Sequence, residues 1–200
     1  MHSSLAHLLE MTLPAGSFSF DAAVRNENGQ DYTEDLVFLP EAVAWPTAAT
    51  EVAALLKGCQ DLEIPVYTRG AGTGLSGGCL PVHGGLLISM KRMNAVLEID
   101  DKNAQARVQP GVINAVLKQH ALEKGLWYAP DPASFESSTI GGNIAHGAGG
   151  PKAVKYGTTR EHILNLQVAL PNGELIWTGS DTLKNATGFS LTQLMVGSEG

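Results

Sequence analysis

Five glycines fall within nine residues of one segment, Arg69-Gly70-Ala71-Gly72-Thr73-Gly74-Leu75-Ser76-Gly77-Gly78, bounded by apolar Ile64-Pro65-Val66-Tyr67 and Leu86-Leu87-Ile88. Without a Cβ the chain reaches φ > 0 at little cost, so successive N–H groups converge on an anion, with the Thr73 and Ser76 hydroxyls as extra donors. A flexible linker is polar on both sides, which this run is not. A phosphate or pyrophosphate cradle between two strands is the reading. Gly72-x-Gly74-x-x-Gly77 also fits the dinucleotide fingerprint, with Glu98 and Asp100 about twenty residues on. That fold starts a helix inside the glycine run. Here Pro81, Gly84 and Gly85 lead straight into a strand-like stretch, with no room for a crossover helix. No Gly-Lys-Ser/Thr closes the segment as a Walker A loop requires.

The rest of the composition agrees with a folded, backbone-lined binding surface. The chain has 200 residues, 44% of them apolar, enough to bury a core. Only 16% are charged, and 14 of the 23 glycines lie between Gly70 and Gly150. A net charge of −7 argues against a general affinity for nucleic acid or acidic membrane. Cys59 and Cys79 have neither C-x-x-C nor zinc spacing, which suits free thiols in a reducing cytoplasm. A basic leader followed by an apolar core, and any run of eighteen apolar residues, are both missing from the sequence.

Along the chain, residues 1–35 read as a peripheral lead-in, with Leu5, Leu8, Leu9 and Met11 at helical spacing before Pro14 and Gly16. Residues 36–40 and 42–46 read as extended. Thr47 is placed to cap a helix over 48–62 whose inward row is Val52, Leu55, Leu56 and Cys59. Strands follow at 64–69, 86–90, 95–99 and 106–109, the last two joined by the polar turn Asp100-Asp101-Lys102-Asn103. Pro110-Gly111 starts a helix over 112–124, with Val116, Leu117 and Ala121 inward and Gly125 as its stop. Ile140-Gly141-Gly142-Asn143-Ile144-Ala145 reads as a short helix whose N-terminal end offers uncapped N–H groups to a second anion or carbonyl. Segments 164–170 and 174–178 form a hairpin around Pro171-Asn172-Gly173.

Taken in order, the glycine run, Gln109-Pro110-Gly111-Val112, Pro130-Asp131-Pro132-Ala133-Ser134, Ile140-Gly141-Gly142-Asn143, Ala148-Gly149-Gly150, Lys155-Tyr156-Gly157 and Gly197-Ser198-Glu199-Gly200 form a set. This set resembles the FAD-binding domain of the vanillyl-alcohol oxidase and p-cresol methylhydroxylase class. The likeness covers about residues 35–200 and is greatest to the branch of glycolate oxidase FAD subunits and D-lactate dehydrogenases. It implies an α+β, two-lobed fold sandwiching an extended cofactor, with one lobe over 36–100 and a second over 101–200, and FAD as cofactor.

The resemblance also implies roles. Gly70, Ala71, Gly72, Thr73 and Gly74 would hold the pyrophosphate, Gly77 and Gly78 would extend that cradle, and Arg69 and Leu75 beside it would be cofactor-binding too. Pro110, Gly111 and Val112 would line the adenosine side. Pro132, Ser134, Ser138, Ile140, Gly141, Gly142 and Asn143 would approach the ribityl chain and the ring system. Tyr156 and Gly157 would close over the cofactor, and main-chain groups around Val168 would recognise adenine. Backbone donors near the pyrimidine edge of a flavin stabilise the charge it gains on accepting a hydride. Thr73 stands where some members carry a histidine that bonds FAD covalently, which implies non-covalent binding here.

Two charged groups keep a plainer reading beside the functional one: Arg69 as partner of a carboxylate, Asp131 as the cap of a turn between its prolines. His2, His7, His83, His120, His146 and His162 show no metal spacing; His146, next to the Gly141-Gly142-Asn143 turn, is the one placed to approach a flavin. Family members continue past Gly-Ser-Glu-Gly into a further strand and a substrate cap that carries the catalytic groups. The expectation is therefore an N-terminal portion of a cytoplasmic oxidoreductase that turns a 2-hydroxy acid into a 2-oxo acid and passes electrons to an iron–sulfur subunit or electron carrier. An enolpyruvyl-glucosamine reductase-like flavin enzyme and a non-catalytic FAD-binding module are the alternatives.

Overall fold

The structure, a computed structural model, describes residues 2–33 and 35–199, apart from the side chain of His2. The chain forms two compact units: one runs to Arg92 and takes in Gln167–Ile176, and the other holds Met93–Leu166 and the chain from Trp177 onward.

The first unit is built on a four-stranded sheet in the order β1 (Phe18–Ser19), β2 (Ala42–Ala44), β4 (Leu86–Ser89), β3 (Val66–Arg69). β1 is antiparallel to β2; β4 lies parallel to both β2 and β3, with Val43 and Tyr67 each opposite Leu87. β2 and β4 are buried throughout, as parallel strands covered on both faces must be. Period-2 alternation sends Ala42, Ala44, Leu86 and Ile88 to one face, against α1 (His2–Thr12) and α3 (Ala49–Asp61), while Val43, Trp45 and Leu87 meet Val24 of α2 (Ala22–Asn28) on the other. A Cβ on Gly58 would overlap the end of the Leu8 side chain, so α1 and α3 pack closely there and any larger residue has to displace Leu8.

Two expectations are corrected in this unit. The lead-in is not peripheral: Leu5, Leu9 and Leu13 are buried in the core, while Met11 is 75% exposed. Thr47 does not cap α3. Instead the Glu51 carboxylate accepts from the N–H of Thr47 at 2.7 Å and of Ala48 at 3.3 Å, reaching back from the first turn.

The hairpin of β7 (Gln167–Ala169) and β8 (Leu175–Trp177) turns at Gly173, whose φ of +83° is the left-handed value the Asn-Gly pair suggested. β7 packs on α3.

The second unit begins with the antiparallel pair β5 (Val96–Asp100) and β6 (Gln105–Val108), whose turn is tied by Asn103 Nδ2 donating to Asp100 at 2.6 Å. Next come α4 (Asn114–Glu123), α5 (Ile140–His146), α6 (Ala153–Tyr156) and α7 (Leu191–Met195). Its core joins Val112, Leu117 and Ile140 to Val96, Ile99, Val108, Tyr128 and Ile144. Val116 is 42% exposed rather than inward; the buried row of α4 is Asn114, Leu117 and Ala121, spaced i, i+3 and i+7. α4 ends as expected at Gly125, with φ of +70° and the Leu126 N–H reaching back to the Ala121 carbonyl.

Candidate functional site

In the first unit the site is the connection between β3 and β4. No helix begins anywhere from Gly70 to Gly85, which rules out the dinucleotide fold suggested by the glycine spacing. Gly72 and Gly77 supply the positive φ values inside the run, and Gly84 and Gly85 supply them where it rejoins the sheet. Gly85 lies so close to the Pro65 carbonyl that a Cβ would collide with it.

The loop is held from outside. The Tyr32 N–H donates to the Gly74 carbonyl at 3.2 Å, and Arg69 donates to the Gln30 carbonyl at 2.6 Å while its guanidinium lies over Gly72. Among the described residues Arg69 thus takes a main-chain carbonyl as its acceptor rather than the carboxylate of the plainer reading. It also contacts Cys79 Sγ at 3.5 Å, and that thiol sits 3.9 Å from Asp31. Burial pushes the Cys79 thiol above its ordinary value, with the Arg69 charge working in the opposite sense.

With the loop clamped this way, the N–H groups of Ala71, Gly72 and Thr73 donate to no protein acceptor among the described residues. Unpaired neighbouring N–H groups on a fixed turn are suited to oxygen atoms of a phosphate. Leu75 is 75% exposed at the end of this stretch. Val168 sits in the middle of β7, also within the first unit.

In the second unit Pro110, Gly111 and Val112 lie against the start of α5. Ile113 and Thr139 form an antiparallel bridge; the Ile140 N–H donates to the Val112 carbonyl at 2.7 Å and the Gly141 N–H to the Pro110 carbonyl at 2.8 Å. Gly142 N–H is taken by the Thr139 hydroxyl at 3.2 Å. The N-terminal donors of α5 are thus consumed by the protein, which corrects the expectation of uncapped N–H groups there. What this segment offers instead is side chains. Ser138 and Asn143 are each 3% exposed, and Ser138 Oγ and Asn143 Nδ2 have no partner among the described residues. The turn before them is closed by Ser137 and Ser138 N–H groups donating to the Ser134 carbonyl, and by Phe135 donating to Pro132.

Asp131 does not cap the turn between its prolines. It accepts from the Lys152 ammonium at 2.7 Å and from the Lys152 N–H at 3.4 Å, and that ammonium holds its carboxyl below the usual carboxylate range. Gly150 lies so close to the Asp131 carbonyl that no Cβ would fit. Tyr156 meets Trp127 edge to face at 4.7 Å, with Lys155 Nζ 4.8 Å over the Tyr156 ring, and Gly157 follows with φ of +81°. Burial pushes the Tyr128 hydroxyl up to about 12. His146 Nδ1 lies 3.3 Å from Glu199, at the C-terminal end of α5. Gly200, last in the final motif, falls outside the described residues.

The structure thus gathers Arg69, Gly70, Ala71, Gly72, Thr73, Gly74, Leu75, Gly77 and Gly78 in one clamped loop, and brings Pro110–Val112 against Ser138–Asn143 in the other unit. Sequence reasoning passed over the Gln30–Tyr32 clamp, which has no composition signal, and Asn114, a polar residue in an otherwise apolar row.

In the first unit, a clamped loop whose N–H groups have no protein acceptor among the described residues suits phosphate oxygens; in the second, Ser138 and Asn143 hold buried hydroxyl and amide donors without partners among those residues. Residues 40–179 match the family model described as FAD binding domain, and the chain belongs to that family. It is 45% identical over 170 residues to the glycolate oxidase subunit GlcD of Bacillus subtilis, covering 85% of this chain and 36% of that protein. It is 42% identical over 182 residues to a D-lactate dehydrogenase of Anaerostipes hadrus, covering 88% and 38%. Among solved structures, an alkyldihydroxyacetonephosphate synthase superposes with a TM-score of 0.86 at 23% identity, over all of this chain and 41% of that one, a likeness of fold. The chain thus spans less than two fifths of the length of these two curated relatives. No helix among the described residues is long and apolar enough to cross a membrane.

Proposed function

We propose that this chain is the FAD-binding part of a flavin-dependent oxidoreductase that oxidises a small 2-hydroxy acid, of the glycolate or D-lactate kind, to the 2-oxo acid. The observation that carries the reading is the β3–β4 loop, whose N–H groups at Ala71, Gly72 and Thr73 are engaged with no protein acceptor among the described residues, in a chain sharing 45% identity with a glycolate oxidase subunit. When bound, FAD supplies the hydride-accepting ring system. The chain's own residues do the holding. Residues 70–74 take the pyrophosphate through backbone donors, with the Thr73 hydroxyl beside them, and Gly77 and Gly78 continue the cradle. Pro110 to Val112 and the main chain at Val168 meet the adenosine portion. Ser138 and Asn143 direct buried donors at the polar edge of the ring, where negative charge grows during reduction. Tyr156 and Gly157 close the site.

Attachment is non-covalent, because Thr73 offers a hydroxyl where a covalent link would use an imidazole. Electrons leave through an iron–sulfur subunit or electron carrier, and the protein works in the cytoplasm. No catalytic acid or base is assigned to these 200 residues.

The test is a fluorescence titration with FAD, followed by desalting, a visible spectrum and acid precipitation. The reading expects saturable quenching, a retained flavin spectrum and complete release of flavin by acid. In the full-length protein, anaerobic addition of glycolate or D-lactate then bleaches the flavin band. A folded protein that takes up no FAD overturns the reading, and flavin that stays with the precipitate overturns non-covalent attachment.

A further inference from the structure

Asn114 is fully buried at the head of the inward row of α4, where Leu117 and Ala121 follow it and Val112 lies two residues before. Neither Oδ1 nor Nδ2 of its carboxamide has a hydrogen-bond partner among the described residues. A buried amide without partners is less favourable than an apolar side chain of similar size, so packing alone does not account for asparagine at this place.

Three other buried groups in the same unit share the condition: Tyr128 Oη, Ser138 Oγ and Asn143 Nδ2. Of these, Ser138 and Asn143 belong with Asn114 to one small knot of backbone. The Asn114 N–H donates to the Ser138 carbonyl at 2.9 Å, the Asn143 N–H donates to the Thr139 carbonyl at 2.9 Å, and the neighbouring Ile113 and Thr139 are bridged. Their chemistry is complementary. Ser138 has a hydroxyl that gives and takes, and Asn143 Nδ2 only gives. The Asn114 carboxamide presents a donor and an acceptor in one rigid plane.

We infer that Asn114 is a positioning residue of the cofactor site, orienting Ser138 and Asn143 when FAD is bound. The inference rests on the reading that Ser138 and Asn143 meet the flavin. Asn114, with no exposed surface, acts through them. Both resemblance and sequence pattern pass over this residue, because an asparagine at the start of a helix ordinarily reads as a cap.

The test uses Asn114→Leu, Asn114→Ser and Ser138→Ala, alone and with Asn114→Leu combined with Ser138→Ala. Three quantities are read: the melting temperature without FAD, the FAD dissociation constant by fluorescence, and the visible flavin spectrum. Asn114→Leu is expected to melt no lower than wild type, yet to bind FAD about tenfold more weakly with a shifted spectrum. Asn114→Ser, which keeps a hydroxyl, recovers most of the affinity. On the Ser138→Ala background the leucine substitution costs less than on wild type, because the two act together. If Asn114→Leu does not fold, the comparison of Asn114→Ala with Asn114→Ser serves in its place. An affinity within twofold of wild type with an unchanged spectrum overturns the inference, as does strict additivity with Ser138→Ala; the group then only holds an internal water or fills space. Wild-type protein that takes up no FAD overturns the reading of the site itself, a different result.

Discussion

The guanidinium of Arg69 lies across the open face of Gly72 and donates to the Gln30 carbonyl from there, so that the residue entering the glycine loop also closes over its second glycine. A Cβ on Gly72 would overlap that guanidinium, and φ at Gly72 is +74°.

Gly72→Ala therefore pays twice, for the left-handed backbone and for displacing Arg69 from Gln30. The expected loss is roughly 2–3 kcal/mol by urea denaturation, with weaker FAD binding as well. Gly125→Ala is the control. It has φ of +70° with nothing within contact of a Cβ, so it pays the backbone strain alone, about 1 kcal/mol, and leaves FAD affinity unchanged.

Adjacent glycines in α5 are expected to behave differently. A Cβ on Gly141 would stand 2.7 Å from the Pro110 Cβ and 3.0 Å from the Pro110 carbonyl oxygen, so alanine must push the helix off the segment it is bonded to. On Gly142 the nearest atom is the Thr139 hydroxyl at 3.1 Å, which has to give by only a few tenths of an ångström. Gly141→Ala should cost about 2–3 kcal/mol in chemical denaturation. Gly142→Ala should stay within about 1 kcal/mol of wild type, since alanine's helix propensity offsets the crowding. Equal losses at the two positions would refute this account of the contact between Pro110 and α5.

The Asp131–Lys152 pair sets an acid-side signature. The Asp131 pKa is depressed in the folded protein, so the contribution is present above the unfolded value, about 3.9, and is lost as pH falls through the lower folded value. Asp131→Asn should lower stability by about 1 kcal/mol at pH 7. The gap between wild type and variant should narrow as pH drops below about 4. Denaturation midpoints of both proteins from pH 7 to pH 2 check this; a constant gap would place the cost in packing rather than in charge.

Much of this architecture could be read along the chain. The glycine run declared a strand–loop–strand unit, the spacing of Val52, Leu55 and Cys59 declared α3, and Asn172-Gly173 declared a hairpin, because each signal is local and its physics acts within a few residues. Resemblance added the cofactor, through motifs that are short but ordered. What failed did so for a common reason. Leu5 and Leu9 looked peripheral because nothing nearby in sequence shows that β2 and β4 present a face for them. Ile140 and Gly141 looked like free donors until Pro110 and Val112, about thirty residues earlier, supplied their acceptors.

By itself, then, the sequence determined where backbone would be exposed, which periodicities would become strands and helices, and which cofactor chemistry the ordered motifs suit. Only the tertiary structure decided which exposed groups stay available. Hydrogen bonding is saturable: the N–H groups of Ala71 to Thr73 and those of Ile140 to Gly142 are alike in local chemistry, and they differ because distant carbonyls and a cap hydroxyl reached one set and not the other.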